Sequence, residues 1–149
     1  MAKDYKLQER LGFRLSRLSK MMQTRLEFSL REHGVTRLEW CILSGVALEG
    51  YDSPSELADH IGITRPAVSR LLKGLTERRL IERALINSDG RSRKLTVTKQ
   101  GMDSVTKCLP LVESTQDHFT KKLTAAQQSA LSETLDLMLS GEDTSFEDL

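Results

Sequence analysis

The sequence predicts a chain that is mainly α with a small β-hairpin, and with long helices at both ends. Three observations point there. Apolar residues recur every three or four positions from Leu7 to Leu30 and again from Met102 to Leu123, the stripes of amphipathic helices. Helix-start signals at Thr36, Ser53 and Thr64 divide the middle of the chain into short helices. The stretch SDGRSRKLTVTKQG, Ser88 to Gly101, surrounds a glycine with cations and then alternates Leu95 and Val97, as one arm of a hairpin would. At 149 residues, 38% hydrophobic and 29% charged, residues 1–149 suit a single folded domain.

The first helix is expected from Leu7 through Leu11, Leu15, Leu18, Met22, Leu26 and Leu30, with Phe13, Met21 and Phe28 widening the stripe. It ends at His33-Gly34. A helix of about 25 residues is some 37 Å long, more than a small core can cover, so part of it is expected to face a partner chain. Thr36 with Glu39 has the form of a capping box opening a second helix through Trp40, Leu43, Val46 and Ala47. Ser53, Pro54 and Glu56 open a third, ending near His60, with Glu56 returning to the cap. Gly62 breaks the chain, and Thr64 caps a fourth helix with Pro66 in its first turn and Val68, Leu71, Leu72 and Leu75 on one face. A strand over Ile81 to Leu85, a polar tip at Asn87 to Arg93 and a strand over Leu95 to Thr98 complete the hairpin. A fifth helix follows, kinked where Pro110 removes a donor. Thr124 and Gln127 form the capping box of a last helix through Leu131, Leu135 and Met138.

Charge narrows the function classes. The net charge is +1, yet Thr64 to Lys94 holds nine basic residues against three acidic ones, a net of +6, and the rest of the chain is at −5. A basic module in an acidic body, with the acidic tail GEDTSFEDL behind it, suits a polyanion at one face. No nucleophile and base stand in a recognisable motif, and no phosphate loop or metal-ligand spacing occurs, so catalytic residues, metal and cofactors are assigned as none. No apolar run is long enough to span a membrane, and a cytoplasmic location is expected. Cys41 and Cys108 share no motif and are expected to be buried thiols, with a thiol-based redox sensor as an alternative.

Two short helices joined at a glycine, the second basic and followed by a basic hairpin, have the form of a winged helix-turn-helix. Ala58 is expected where its helices approach closely and Gly62 where the turn needs a permissive backbone. With the apolar face of the fourth helix inward, the 100° step leaves Pro66, Ser69, Arg70, Lys73 and Glu77 outward, with Arg65 at the helix start. Such a face can enter a major groove, where Arg or Lys reads guanine O6 and N7, while Thr64 and the first-turn amides hold a phosphate. Arg91, Arg93 and Lys94 are expected at the wing tip, over a minor groove or its flanking phosphates. Asp89 is expected to pair with Arg91 or Arg83 to fix the tip. A winged helix that serves as a protein-interaction module is the rival reading.

The segments SPSELADHIGITRPAVSRLLKGL, LIER and DGRSRKLTVTKQG occur here in the order and spacing of the multiple-antibiotic-resistance-regulator (MarR) family, which the chain resembles over nearly its whole length. The most specific part is Asp-x-Arg followed by Leu-Thr-x-Thr-x-x-Gly: Asp89, Arg91, Leu95, Thr96, Thr98 and Gly101. Arg79 departs from the pattern, standing where such proteins usually have Gly. The resemblance implies a winged helix-turn-helix with N- and C-terminal dimerisation helices: residues 36–98 bind double-stranded DNA, 4–33 and 99–140 form a homodimer, and 141–149 are an acidic tail. It further implies a repressor on a pseudo-palindromic operator, released by a small aromatic or phenolic effector or by thiol oxidation. Arg14, Met21, Met22 and Trp40 are candidates to line an effector cleft, but core packing accounts for Trp40 and the Met residues, and no ligand residue is assigned.

Overall fold

The computed structural model describes residues 4–85 and 93–143. In chain order the elements are α1 (Leu11–Leu30), α2 (Arg37–Ala47), α3 (Pro54–Ile61), α4 (Arg65–Glu77), β1 (Ile81–Leu85), β2 (Arg93–Val97), α5 (Lys99–Thr120) and α6 (Ala125–Leu139). The first helix does not run unbroken from Leu7. Leu7–Glu9 is a separate 3-10 turn, and Arg10, extended at φ −74° and ψ 135°, divides it from α1. Arg10 offers no side-chain cap, and the turn is instead tied back by Arg14, whose Nε donates to the Gln8 carbonyl at 3.1 Å. A second 3-10 turn, Arg31–His33, ends at left-handed Gly34.

The cap signals work as their chemistry requires. At α2 the box is reciprocal: the Glu39 N–H donates to Thr36 Oγ1 at 3.2 Å, and the Thr36 N–H donates to Glu39 Oε2 at 3.0 Å. Thr124 and Gln127 repeat it at α6. At α3 the Glu56 N–H donates to Ser53 Oγ, but the Glu56 carboxylate accepts from the Ser53 hydroxyl and not from its backbone. The α5 helix runs from Lys99 through Pro110 to Thr120 as one element.

A single core joins these helices. Leu30 from α1, Ile42 and Leu43 from α2, Leu57 from α3, Val68, Leu72 and Leu75 from α4, Ile81 and Leu95 from the hairpin, and Val105 and Cys108 from α5 are all buried. Burying side chains of this size contributes about 1.5–3 kcal/mol each. The α1 helix lies along α5, but only its C-terminal end reaches the core. Leu7, Leu11, Leu15, Leu18, Met21 and Phe28 are exposed, and so are Leu131, Leu135, Leu137, Met138 and Leu139 of α6. No residue of α6 is buried.

The hairpin pairs antiparallel with Ile81 opposite Val97 and Leu85 opposite Arg93. The second strand ends one residue earlier than the sequence suggests, because Thr98 is the N-cap of α5. Its hydroxyl donates to the Arg79 carbonyl at 2.6 Å and accepts from the Gly101 N–H at 3.0 Å, while its own N–H donates to the Leu80 carbonyl at 3.1 Å. A Cβ on Gly101 would stand 2.0 Å from that Leu80 carbonyl oxygen. The Arg79 departure also acquires a meaning: Arg79 has φ +57°, the one non-glycine with positive φ among the described residues. The turn needs a left-handed residue whether or not glycine supplies it.

Two substitutions test this junction from opposite sides. Gly101→Ala forces Cβ into a backbone carbonyl and is expected to cost at least about 2 kcal/mol, measured by urea unfolding. Arg79→Gly relieves the left-handed strain and is expected to raise stability by roughly 0.5–1 kcal/mol in the same assay.

Candidate nucleic-acid interface

The two helices α3 and α4 are set by a turn with little freedom. Gly62 is left-handed at φ +75°, and the Ala58 carbonyl accepts from both the Gly62 N–H (2.9 Å) and the Ile63 N–H (3.2 Å). Ala58 itself is buried. A further small residue, which the sequence did not single out, is Gly45 on α2: its Cβ would lie 3.0 Å from Leu57 Cδ2. Its only sequence signal is a glycine inside an otherwise good helix, which implies a close approach.

Thr64 caps α4, accepting from the Ala67 N–H at 3.3 Å, which leaves its hydroxyl proton free to donate. Val68, Leu72 and Leu75 are buried and Leu71 half-buried. The opposite face is the one expected: Arg65, Pro66, Ser69, Arg70 and Lys73 are all exposed, and Thr64 is half-buried at the helix start. Within the described residues, Arg65, Arg70 and Lys73 make no ion pair, so one helix face holds three unneutralised cations beside two hydroxyls. Arg83 is exposed on β1, paired in register with Leu95. Asp89, Arg91 and the side chain of Arg93 lie outside the described residues.

Not every cation in the basic segment is free. Arg78 Nη1 is 3.1 Å from Glu39 Oε2, and its Nη2 donates to the Gly34 carbonyl, so this side chain fastens the end of α4 to the start of α2. Lys94 Nζ is 2.8 Å from Asp52 Oδ2. Its ammonium pKa is pushed up by the hydrogen bond and charge of Asp52.

The side chains weighed for an effector cleft separate. Trp40 is buried at 7% exposure in the core. Arg14 belongs to a depression with Lys6, Leu7, Gln8, Glu9 and Phe13. Met21, however, lies in a groove of about 560 Å³ on α1 with Phe28, Thr24, Arg17, Lys20 and Arg25, an apolar floor rimmed by three cations. Of the four candidates, Met21 thus meets a cationic surface, and Arg17, Lys20 and Arg25 carry no signal in the sequence that marks them. Burial pushes both thiols, Cys41 and Cys108, up from their ordinary pKa, although Arg37 partly offsets this at Cys41. Among the described residues, no group of three or more His, Cys, Asp or Glu could hold a metal ion, and no helix is long and apolar enough to cross a membrane.

Comparison with known proteins gives the arrangement its relatives. The MarR family model matches residues 33–92, from the turn that precedes α2 through the helix-turn-helix and past β1. The structure of CouR from Rhodococcus jostii RHA1 bound to p-coumaroyl-CoA is similar over 94% of this chain and 99% of that one, at 20% identity and a TM-score of 0.82. A MarR family protein of Mycobacterium tuberculosis, Rv2887, in complex with salicylic acid is 25% identical, over 93% of this chain and 99% of that one, with a TM-score of 0.70. The Staphylococcus aureus MepR–DNA complex shares the fold over 89% of this chain and 98% of that one, at 20% identity and a TM-score of 0.79. The family match falls on the segment that builds the exposed cationic helix, and the fold is shared almost end to end: residues 33–92 are similar to the MarR family, and the whole chain has the fold of these structures.

Proposed function

We propose that the protein is a cytoplasmic repressor that binds a pseudo-palindromic operator as a homodimer, with α4 in the major groove. The observation that carries this reading is the α4 face itself, on which Arg65, Arg70 and Lys73 stand exposed, with no ion pair among the described residues, beside Thr64 and Ser69. Thr64 holds a phosphate at the helix N-terminus, Arg65, Ser69, Arg70 and Lys73 address base edges or backbone, and Pro66 shapes the first turn. Arg91 and Arg93 extend the contact from the wing, with Asp89 and Arg83 stabilising it. Residues 36–98 are the DNA-reading part. Residues 4–33 and 99–140 form the dimer, because Leu7, Leu11, Leu15 and Leu18 at the N-terminal end and the exposed apolar residues of α6 have no cover among the described residues. A two-fold dimer then sets its α4 helices about one DNA turn, 34 Å, or a multiple apart.

The effector of this reading is a small aromatic or phenolic acid. Its ring suits the Met21 and Phe28 floor of the α1 groove, and its carboxylate suits Arg17, Lys20 or Arg25. The relatives that carry salicylic acid and p-coumaroyl-CoA add support for an aromatic ligand. Thiol sensing is the weaker trigger, because burial disfavours the thiolate at Cys41 and Cys108. Binding, not catalysis, is the activity proposed.

Selection of bound sequences from a random duplex pool at two salt concentrations tests the reading. A two-fold symmetric site with steep salt dependence is expected; a folded dimer that enriches no sequence would favour the protein-interaction module. On the selected site, Arg70→Ala is expected to weaken specific binding by roughly 1–3 kcal/mol and to relax preference at one base position. An unchanged preference would remove Arg70 as a reader. Arg91→Ala is expected to lower affinity with little change in the selected major-groove sequence, as shown by repeating the selection with the variant.

A further inference from the structure

The hairpin is tied to the body at a point that the family match does not explain. Asp52, in the loop between α2 and α3, meets β2 twice. Its backbone carbonyl accepts from the Leu95 N–H at 2.9 Å, and its carboxylate pairs with Lys94 Nζ at 2.8 Å. The loop that presents Asp52 is itself held from both sides. The Tyr51 N–H donates to the Gly45 carbonyl of α2 at 3.0 Å, and the Tyr51 ring stacks on His60 of α3 with centroids 4.2 Å apart. His60 is held in turn by Glu49, 3.1 Å from its Nε2, and the residue after Asp52 is Ser53, the N-cap of α3. Asp52 therefore sits in a short braced bridge between the helix-turn-helix and the second strand of the wing.

Lys94 is exposed, and its side chain reaches along this bridge to Asp52, with the charge of Glu56 also near it. To reach a DNA phosphate it would have to leave a carboxylate at hydrogen-bond distance. Leu95, its neighbour, is buried in the core, so the strand at this point is fixed on one face by packing and on the other by the ion pair.

We propose that Asp52 is a positioning residue for DNA binding, fixing the wing relative to α4 through Lys94 and the Leu95 amide, and that Lys94 is its strut and not a phosphate contact. The inference rests on the DNA-binding reading above. For Asp52 it predicts an effect opposite to what charge alone predicts, and for Lys94 an unchanged salt dependence. Asp52→Asn removes a negative charge near a polyanion, which would strengthen binding if charge were all that mattered. A loosened wing weakens binding instead.

The test is operator affinity as a function of salt for wild type, Asp52→Asn, Lys94→Ala and the double variant, with Arg70→Ala as reference. Each single variant is expected to lose about threefold in affinity, the scale of one exposed ion pair. The double variant should lose no more than either single one, and the slope of log affinity against log salt should stay at the wild-type value. The exchanged pair Asp52→Lys with Lys94→Asp should recover most of the loss, which an effect on overall folding would not produce. Two outcomes overturn the proposal: tighter binding by Asp52→Asn, or a salt slope for Lys94→Ala that is shallower by about one, the mark of a lost phosphate contact. If Arg70→Ala and wild type bind the selected duplex equally, the DNA-reading face itself is wrong, which is a separate failure. Hydrogen exchange at the Leu95 amide of the free protein, expected to quicken in Asp52→Asn, reads the brace without DNA; unchanged exchange there would also overturn the proposal.

Discussion

The rest of the fold hangs on the approach of Gly101 to the Leu80 carbonyl. Four elements meet there: α4 ends at Glu77, β1 begins at Ile81, β2 ends at Val97 and α5 begins at Lys99. Thr98 joins them with one side chain and one amide, giving its hydroxyl proton to Arg79, its N–H to Leu80 and its oxygen to the Gly101 N–H. Nothing larger than a hydrogen fits between α5 and the strand start. Because the core is close-packed, a shift at this point would pass directly to Ile81, Leu95 and Val105, and through them to the angle between the hairpin and α4. The left-handed Arg79 belongs to the same constraint, since the chain must leave α4 and turn back within three residues to put Leu80 where Gly101 can reach it.

Much of this was legible before any coordinates, because the signals were local. A cap residue, a glycine at a turn and an apolar period each act within one or two turns of chain, so Thr36, Ser53, Gly62, Thr64 and Thr124 announced their elements. The outward set on α4 followed from the inward set, since a helix has one angular period. What could not be read was anything set by distant partners. Counting charge along Thr64 to Lys94 treated Arg78 and Lys94 as part of a basic surface, yet one is bound to Glu39, 39 residues away, and the other to Asp52. The break at Arg10 also escaped, because the apolar spacing carries on across it while the backbone does not.

The α1 helix shows the same limit in another form. Its apolar stripe is plain in the sequence, but nothing local marks Arg17, Lys20 and Arg25, which the helix brings beside Met21 and Phe28. Exposure of Phe28 at 71% and Met21 at 55% makes that groove a surface with two chemistries, apolar at its floor and cationic at its rim.

The bare flanks of α6 carry a thermodynamic consequence. A 15-residue helix with no buried side chain is near the length at which isolated helices are marginal in water, and its capping box supplies only part of what it needs. Its order is therefore borrowed from whatever covers Leu131, Leu135 and Met138. In the proposed homodimer that cover is a second copy of the chain, so helix content at the C-terminal end and association are linked quantities, and the apparent melting temperature is expected to rise with protein concentration. In that assembly, association and folding of this end are a single equilibrium.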